Sequence, residues 1–171
     1  MMSKPSPWVE RHAGLIRPKG EVLDLACGNG RHAQYLASLD KRVTAVDVDI
    51  SRVAALAGDN RIEIIEADLE QDAWPLGERK FDAIIVVNYL YRPHFPSLIQ
   101  ALRDGGVLIF DTFARGNEKF GRPRNPAFLL EPGELLAVFS PSLTVVAYEF
   151  GVINEPAPAV RQRLCAVKES L

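Results

Sequence analysis

Residues 22–31, Val-Leu-Asp-Leu-Ala-Cys-Gly-Asn-Gly-Arg, constrain the fold more than any other stretch of the chain. A mostly apolar run reads as a short strand, and Gly28 and Gly30 behind it read as a tight turn. A helix follows over residues 31–39, where Ala33, Leu36 and Ala37 recur on one face. Strand, glycine turn and helix in that order open a βαβ unit, whose strand is buried among parallel neighbours.

The alternation continues. Residues 42–46 form a second strand that ends at Asp47. Ser51 can cap a helix through residue 57, which Gly58 would end, and Asp49 offers a cap at the same place. Residues 61–66 form a third strand, and residues 81–87 a fourth, the most apolar, as expected of a strand covered on both faces. Pro93 suits the first turn of a helix running to residue 103, Gly105 and Gly106 end it, and residues 107–110 are a fifth strand. Beyond Asp111 the pattern changes. Residues 114–126 are rich in Arg, Gly, Asn and Pro without any period, so they form a long loop. A helix over 132–139 and two strands, 143–150 and 160–167, follow. The loop between those strands holds Pro156 and Pro158 and no crossover helix, so they read as an antiparallel hairpin at the end of the sheet.

The 171 residues suit one domain, with an N-terminal helical segment at 1–18 and a long active-site loop at 114–130. A net charge of −2 argues against affinity resting on a broad basic face, as nucleic-acid binders need, although local basic clusters remain. Cys27 and Cys165 are far apart and have no metal-ligand spacing, so they read as reduced thiols, and no metal site is expected. The N-terminus has no apolar leader run, and no stretch approaches the roughly 18 apolar residues of a membrane span. These features together place the chain in the cytoplasm as an expectation.

The glycine loop alone fits two cofactors. Gly28, Gly30 and Ala33 satisfy G-x-G-x-x-A, and Asp47 follows at the distance of a ribose-binding acid, as in nicotinamide folds. Three features favour another ligand. Asp24 places a carboxylate before the glycines, which suits a ligand with a free ammonium group and not a pyrophosphate. Asp68 follows the third strand, placed to accept from an adenine amino group. Leu102 to Gly106 makes a tight turn before the fifth strand.

With these residues the chain resembles the class I S-adenosylmethionine-dependent methyltransferases. Residues 22–31 resemble their first motif, Val46-Asp47-Val48-Asp49 the second, Ala67-Asp68-Leu69 the third and Phe81-Asp82-Ala83-Ile84 the fourth. Leu102-Arg103-Asp104-Gly105-Gly106 is similar to the turn that follows, with Asp104 where proline is usual. The run Cys-Gly-Asn-Gly-Arg-His-Ala-Gln-Tyr-Leu-Ala is closest to the small-molecule, tellurite-resistance-type branch. The resemblance implies an α/β, Rossmann-like doubly wound sheet, mostly parallel, with an antiparallel C-terminal hairpin strand. It implies S-adenosylmethionine as cofactor and S-adenosylhomocysteine as product. It also implies site roles. Backbone at Ala26, Gly28 and Gly30 would approach the methionine part, and Asp24 would face its ammonium group directly or through water. Asp47 would take the ribose hydroxyls and Val48 would pack on adenine. Asp68 and the Leu69 amide would bind the adenine edge, and Asn88 would line the transfer channel.

The acceptor side is less defined. Methyl transfer from a sulfonium is an in-line displacement that alignment can drive, so no catalytic dyad is required. Asn88, Tyr89, Tyr91 and His94 follow the fourth strand and are candidates. Either tyrosine could face the sulfonium or simply pack in the core. His94 could be a general base or a surface residue at a helix start. Arg122 belongs to a loop with four basic residues and one acid, which is either a lid over an anionic acceptor or a solvated loop. Trp8 could close the site or anchor the core. The expected partner is a small-molecule acceptor; an RNA or protein acceptor is the alternative. Oligomeric state is left open.

Overall fold

The computed structural model describes residues 3–71 and 73–170. Its strands are β1 (Glu21–Leu25), β2 (Arg42–Asp47), β3 (Ile62–Glu66), β4 (Phe81–Val87), β5 (Leu102–Phe113), β6 (Thr144–Ile153) and β7 (Ala159–Val167). They form one sheet in the order β3-β2-β1-β4-β5-β7-β6. The first five are parallel, and β7 runs antiparallel to both β5 and β6. The hairpin expected from the prolines is therefore present, but its second strand lies inside, against β5, and its first strand takes the edge. The α/β Rossmann-like class holds.

Strand pleating divides the apolar residues between two cores. Ile84 and Val86 of β4, with Leu108 and Phe110 of β5, face the core covered by α3 (Phe95–Gln100) and α4 (Glu134–Phe139). Phe95, Phe110 and Phe139 meet there at centroid separations of 5.3–6.0 Å. Ala83 and Ile85, with Val107 and Ile109, face the opposite core. That side is covered by α1 (Pro7–His12) and α2 (Arg31–Ser38), whose Ala33, Leu36 and Ala37 are buried as their spacing requires. Trp8 proves to be a core anchor. It is 1 % exposed and its Nε1–H donates to the Leu164 carbonyl at 3.1 Å.

Three expectations about elements need correction. The helix expected over 51–57 is two 3₁₀ turns, at Ile50–Arg52 and Ala54–Leu56. Such a short run gains little from helix propagation, and the i, i+3 spacing of Val53 and Leu56 lets both side chains press on the glycine loop. Asp49 is the cap, its Oδ1 accepting from the Ser51 amide at 3.0 Å. The helix expected over 93–103 is a 3₁₀ turn at Arg92–His94 followed by the six-residue α3. Leu102 already pairs with Phe81, and residues 103–106 bulge out before Val107 pairs with Ala83. Finally, residues 114–130 are not featureless. They contain 3₁₀ turns at Asn117–Lys119 and Pro126–Phe128, and Ala114 bridges Leu130.

Candidate active site

The carboxyl ends of β1, β2, β3 and β4 open onto a cleft of about 530 Å³, the edge where open α/β sheets bind ligands. Ala26, Gly28, Asp47, Val48, Asp68, Leu69, Asn88 and Tyr89 all line it. The glycine loop is tied to β2: the Cys27 amide donates to the Val46 carbonyl at 2.9 Å, and the Gly28 amide donates to Asp47 Oδ2 at 2.8 Å. Asp47 Oδ1 accepts from the Asp49 amide at 3.0 Å. Two bonds leave lone pairs on a fixed carboxylate at the centre of the cleft. Val48 is 58 % exposed, an apolar shelf beside that carboxylate.

The two glycines are needed for different reasons. Both have left-handed backbones, with φ of +57° at Gly28 and +79° at Gly30. A Cβ on Gly28 would meet nothing within 4 Å, because the space in front of it is the cleft. A Cβ on Gly30 would lie 2.6 Å from Val53 Cγ2 and 2.7 Å from Leu56 Cδ1. Gly30 lies outside the cleft wall, and its lack of a side chain admits the 3₁₀ turns rather than a ligand.

Asp24 is also beneath the loop and not in the wall. It is 2 % exposed, and its Oδ2 accepts from the Ala33 amide in α2 at 3.1 Å. Burial pushes its carboxyl up to about 7, against the lowering effects of that amide and of Arg31. Asp68 caps the turn after it, accepting at Oδ1 from the amides of Glu70 and Gln71 at 2.9 and 3.2 Å. Cys27 lines the cleft, but burial, Asp24 and Asp47 push its thiol up to about 12, which removes it as a nucleophile near neutrality.

The candidates after β4 separate. Asn88 faces the cleft, and Tyr89 joins it with a hydroxyl that has no partner among the described residues; burial and the acids Glu70, Asp68 and Asp47 raise its phenol. Tyr91 is not in the wall of this cleft, and its hydroxyl donates to the Glu70 carbonyl at 3.3 Å. His94 is 8 % exposed rather than on the surface, and its Nε2–H donates to the Leu69 carbonyl at 2.5 Å. Edge contacts with Tyr91 and Trp74 hold the ring. His94 thus supports the wall of the cleft and does not reach a reacting atom.

A second cavity of about 680 Å³ adjoins the first, and the two share Ser3, Arg31, Val87 and Asn88. Its walls come from residues 3–7, from Asp111 and Phe113 of β5, from Phe120, Gly121 and Arg122, and from Arg161 and Arg163 of β7. Asp111 is buried at its base. Arg161 Nε donates to Asp111 Oδ1 at 2.7 Å, Arg163 Nε to the same oxygen at 3.1 Å, and Ser6 Oγ to Oδ2 at 2.6 Å. Burial raises the carboxyl, but the two guanidiniums and the hydroxyl outweigh it and hold Asp111 below the usual range. The sequence does not mark Arg31, Asp111, Arg161, Arg163 or Ser6 as site residues. The only available signal was the alternation of two arginines in β7, Arg-Gln-Arg, within an otherwise apolar strand.

Residues 22–106 match the family model described as a methyltransferase domain. With the sheet order, the motif set and this cleft, the chain belongs to the class I S-adenosylmethionine-dependent methyltransferases. The cleft suits the cofactor: it has a held carboxylate, an apolar shelf and a glycine with open space before it. Among characterised relatives, a tRNA U34 carboxymethyltransferase of Methylococcus capsulatus is 30 % identical, covering 73 % of this chain and 45 % of that protein. The chain thus spans about half the length of the curated relatives it matches. In structure it is similar to TehB of Haemophilus influenzae, with a TM-score of 0.78, 20 % identity and coverage of 98 % and 64 % of the two chains. It is also similar to the 1,6-didemethyltoxoflavin-N1-methyltransferase of Burkholderia thailandensis, solved with bound 1,6-didemethyltoxoflavin and S-adenosylhomocysteine. That match has a TM-score of 0.70, 23 % identity and coverage of 95 % and 76 %. Among the described residues, no helix is long and apolar enough to cross a membrane.

Proposed function

We propose that this chain methylates a small-molecule acceptor held in the second cavity, using S-adenosylmethionine held in the first. The observation that carries this reading is the shared wall: Arg31, Val87 and Asn88 border both cavities, so donor and acceptor can meet there in line. Asp47 is assigned the ribose hydroxyls, Val48 the adenine face, Asp68 and the Leu69 amide the adenine edge, and Ala26 and Gly28 the methionine part. Asp24 acts from below, by fixing the loop to α2. The cofactor supplies an electrophilic methyl group, and the residues around the junction align it. Neither Cys27 nor His94 is available as a base, for the reasons above. Arg122, Arg161 and Arg163 on the acceptor side favour an anionic group. The buried thiols of Cys27 and Cys165 fit a reducing, cytoplasmic setting.

An RNA acceptor is the second reading. It draws on the similarity to a tRNA-modifying enzyme and on Arg115, Lys119 and Arg124, which flank the second cavity's loop. Calorimetry with S-adenosylhomocysteine should show binding that Asp47→Ala weakens by about 10- to 100-fold, the loss of a charged hydrogen-bond partner. Screening carboxylates, thiols, oxyanions and bulk tRNA with labelled donor then separates the acceptors. Transfer to tRNA alone would overturn the small-molecule reading.

A further inference from the structure

Asn88 stands where the two cavities meet, and its side chain can present either of two polarities, a carbonyl that accepts or an NH₂ that donates. Arg161 decides between them. A guanidinium carries donors only, so the Asn88 atom 2.5 Å from Arg161 Nη2 is the oxygen. Arg161 is itself fixed. Its Nε donates to Asp111 Oδ1, its Nη2 also donates to the Asp111 carbonyl at 3.2 Å, and its guanidinium carbon lies 4.4 Å from the centre of the Phe113 ring. The Asn88 backbone is fixed as well: its amide donates to the Asp111 carbonyl at 3.0 Å with φ at +55°, a region asparagine tolerates. With the oxygen turned to Arg161, the NH₂ is the end left for a ligand, and it makes no hydrogen bond among the described residues. Arg31 borders the same junction, so an ammonium group there would meet an NH₂ donor and nearby positive charge.

Resting on the acceptor role proposed for the second cavity, we infer that Arg161 is a positioning residue that turns the Asn88 NH₂ to the junction. That position then recognises a lone pair on an anionic oxygen of the acceptor, a carboxylate being the simplest case, and disfavours an amine. The role is distinct from binding the acceptor by charge alone, because it acts through the orientation of a neutral amide.

The test uses full-length protein labelled with ¹⁵N-asparagine and on its backbone, saturated with S-adenosylhomocysteine. The Asn88 side-chain NH₂ pair is assigned from its loss in Asn88→Asp. Benzoate should shift that pair and benzylammonium should not. Arg161→Lys keeps the charge but gives up the fork that reaches both Asp111 and Asn88. It should move the pair and weaken benzoate by about tenfold, the loss of one charge-assisted hydrogen bond, with S-adenosylhomocysteine affinity unchanged. Asn88→Asp keeps a partner for Arg161 and replaces only the donor, so it should lose benzoate and gain benzylammonium, which keeps the test open should Arg161→Lys fold poorly. Equal response of the pair to both probes, or unchanged benzoate binding in both variants, overturns the inference. Benzoate shifts confined to backbone amides of residues 113–122 overturn it while leaving the acceptor cavity standing. No shift in either place removes the acceptor reading and this inference together.

Discussion

At the scale of single residues, neighbouring positions in one motif do unlike work. Gly28→Ala meets only the cost of a left-handed backbone, on the order of 1 kcal/mol, and its effect should fall on cofactor affinity. Gly30→Ala adds a methyl group against Val53 and Leu56 as well and should cost about 2–4 kcal/mol of stability. Urea midpoints and calorimetric titration of the two variants separate these effects; equal destabilisation would contradict the division of roles. Asp24 carries a pH signature. Below its ordinary value of 3.8 the carboxyl is protonated in both the folded and the unfolded chain. Between 3.8 and about 7 only the unfolded chain ionises, so this group lowers stability as pH rises through that window. Asp24→Asn keeps an acceptor for the Ala33 amide without the charge. It should gain up to about 4 kcal/mol over the parent above roughly pH 7.5 and nothing below roughly pH 3.5, read from urea unfolding at the two pH values.

At the scale of elements, the N-terminal segment is a strap across both cavities. The Arg31 guanidinium donates to the Lys4 carbonyl at 2.8 Å, Asn29 Nδ2 to Ser3 Oγ at 3.3 Å, and the Ser6 amide to His32 Nε2 at 3.0 Å. The last bond needs neutral histidine. Burial, with Arg31 beside it, pushes His32 down to about 3 from its ordinary 6.5. Above pH 6.5 the ring is neutral in both states; as pH falls from 6.5 to about 3 only the unfolded chain takes the proton, so stability falls with acidification. The slope opposes that of Asp24 across the same range. His32→Gln keeps an acceptor without the titration, so it should gain stability relative to the parent as pH falls from 6.5 to 4, read from urea unfolding at the two pH values. Hydrogen exchange at the Ser6 and Trp8 amides should likewise become less sensitive to acid. The elements around the strap were only partly legible in the sequence. The inner strands β1, β2 and β4 read correctly because their apolar runs are set by burial on both faces. The runs at 51–57 and 93–103 did not read as they fold, because packing against Gly30 and the early pairing of Leu102 with Phe81 are long-range contacts that override local propensity.

At the scale of the whole molecule, β7 joins the two ends of the chain to the site. Because it runs antiparallel between β5 and β6, its first residues reach the edge where β1–β5 end, and Arg161 and Arg163 arrive beside Asp111. Removing both arginines as methionines leaves a buried carboxylate with only Ser6 and should cost about 3–5 kcal/mol. Adding Asp111→Asn should recover more than half of that loss in urea unfolding. No recovery would mean that the arginines stabilise by packing and not by neutralising Asp111.

The cofactor side of this protein lies in continuous segments, so the sequence by itself determined it. The strand, glycine turn and helix at 22–39, and the acids Asp47 and Asp68 at strand ends, follow from local spacing and from the rule that parallel strands deliver their carboxyl ends to one edge. Only the tertiary structure decided the second cavity, where the acceptor is proposed to bind. Ser6, Arg31, Asn88, Asp111 and Arg161 are scattered over more than 150 residues of sequence, and no local period links them. The sheet order brings them together, and Arg161, held by Asp111, donates to the Asn88 side-chain oxygen. The same distinction revised the glycine loop: its two glycines look alike in sequence, yet one opens onto the cleft and the other accommodates Val53 and Leu56.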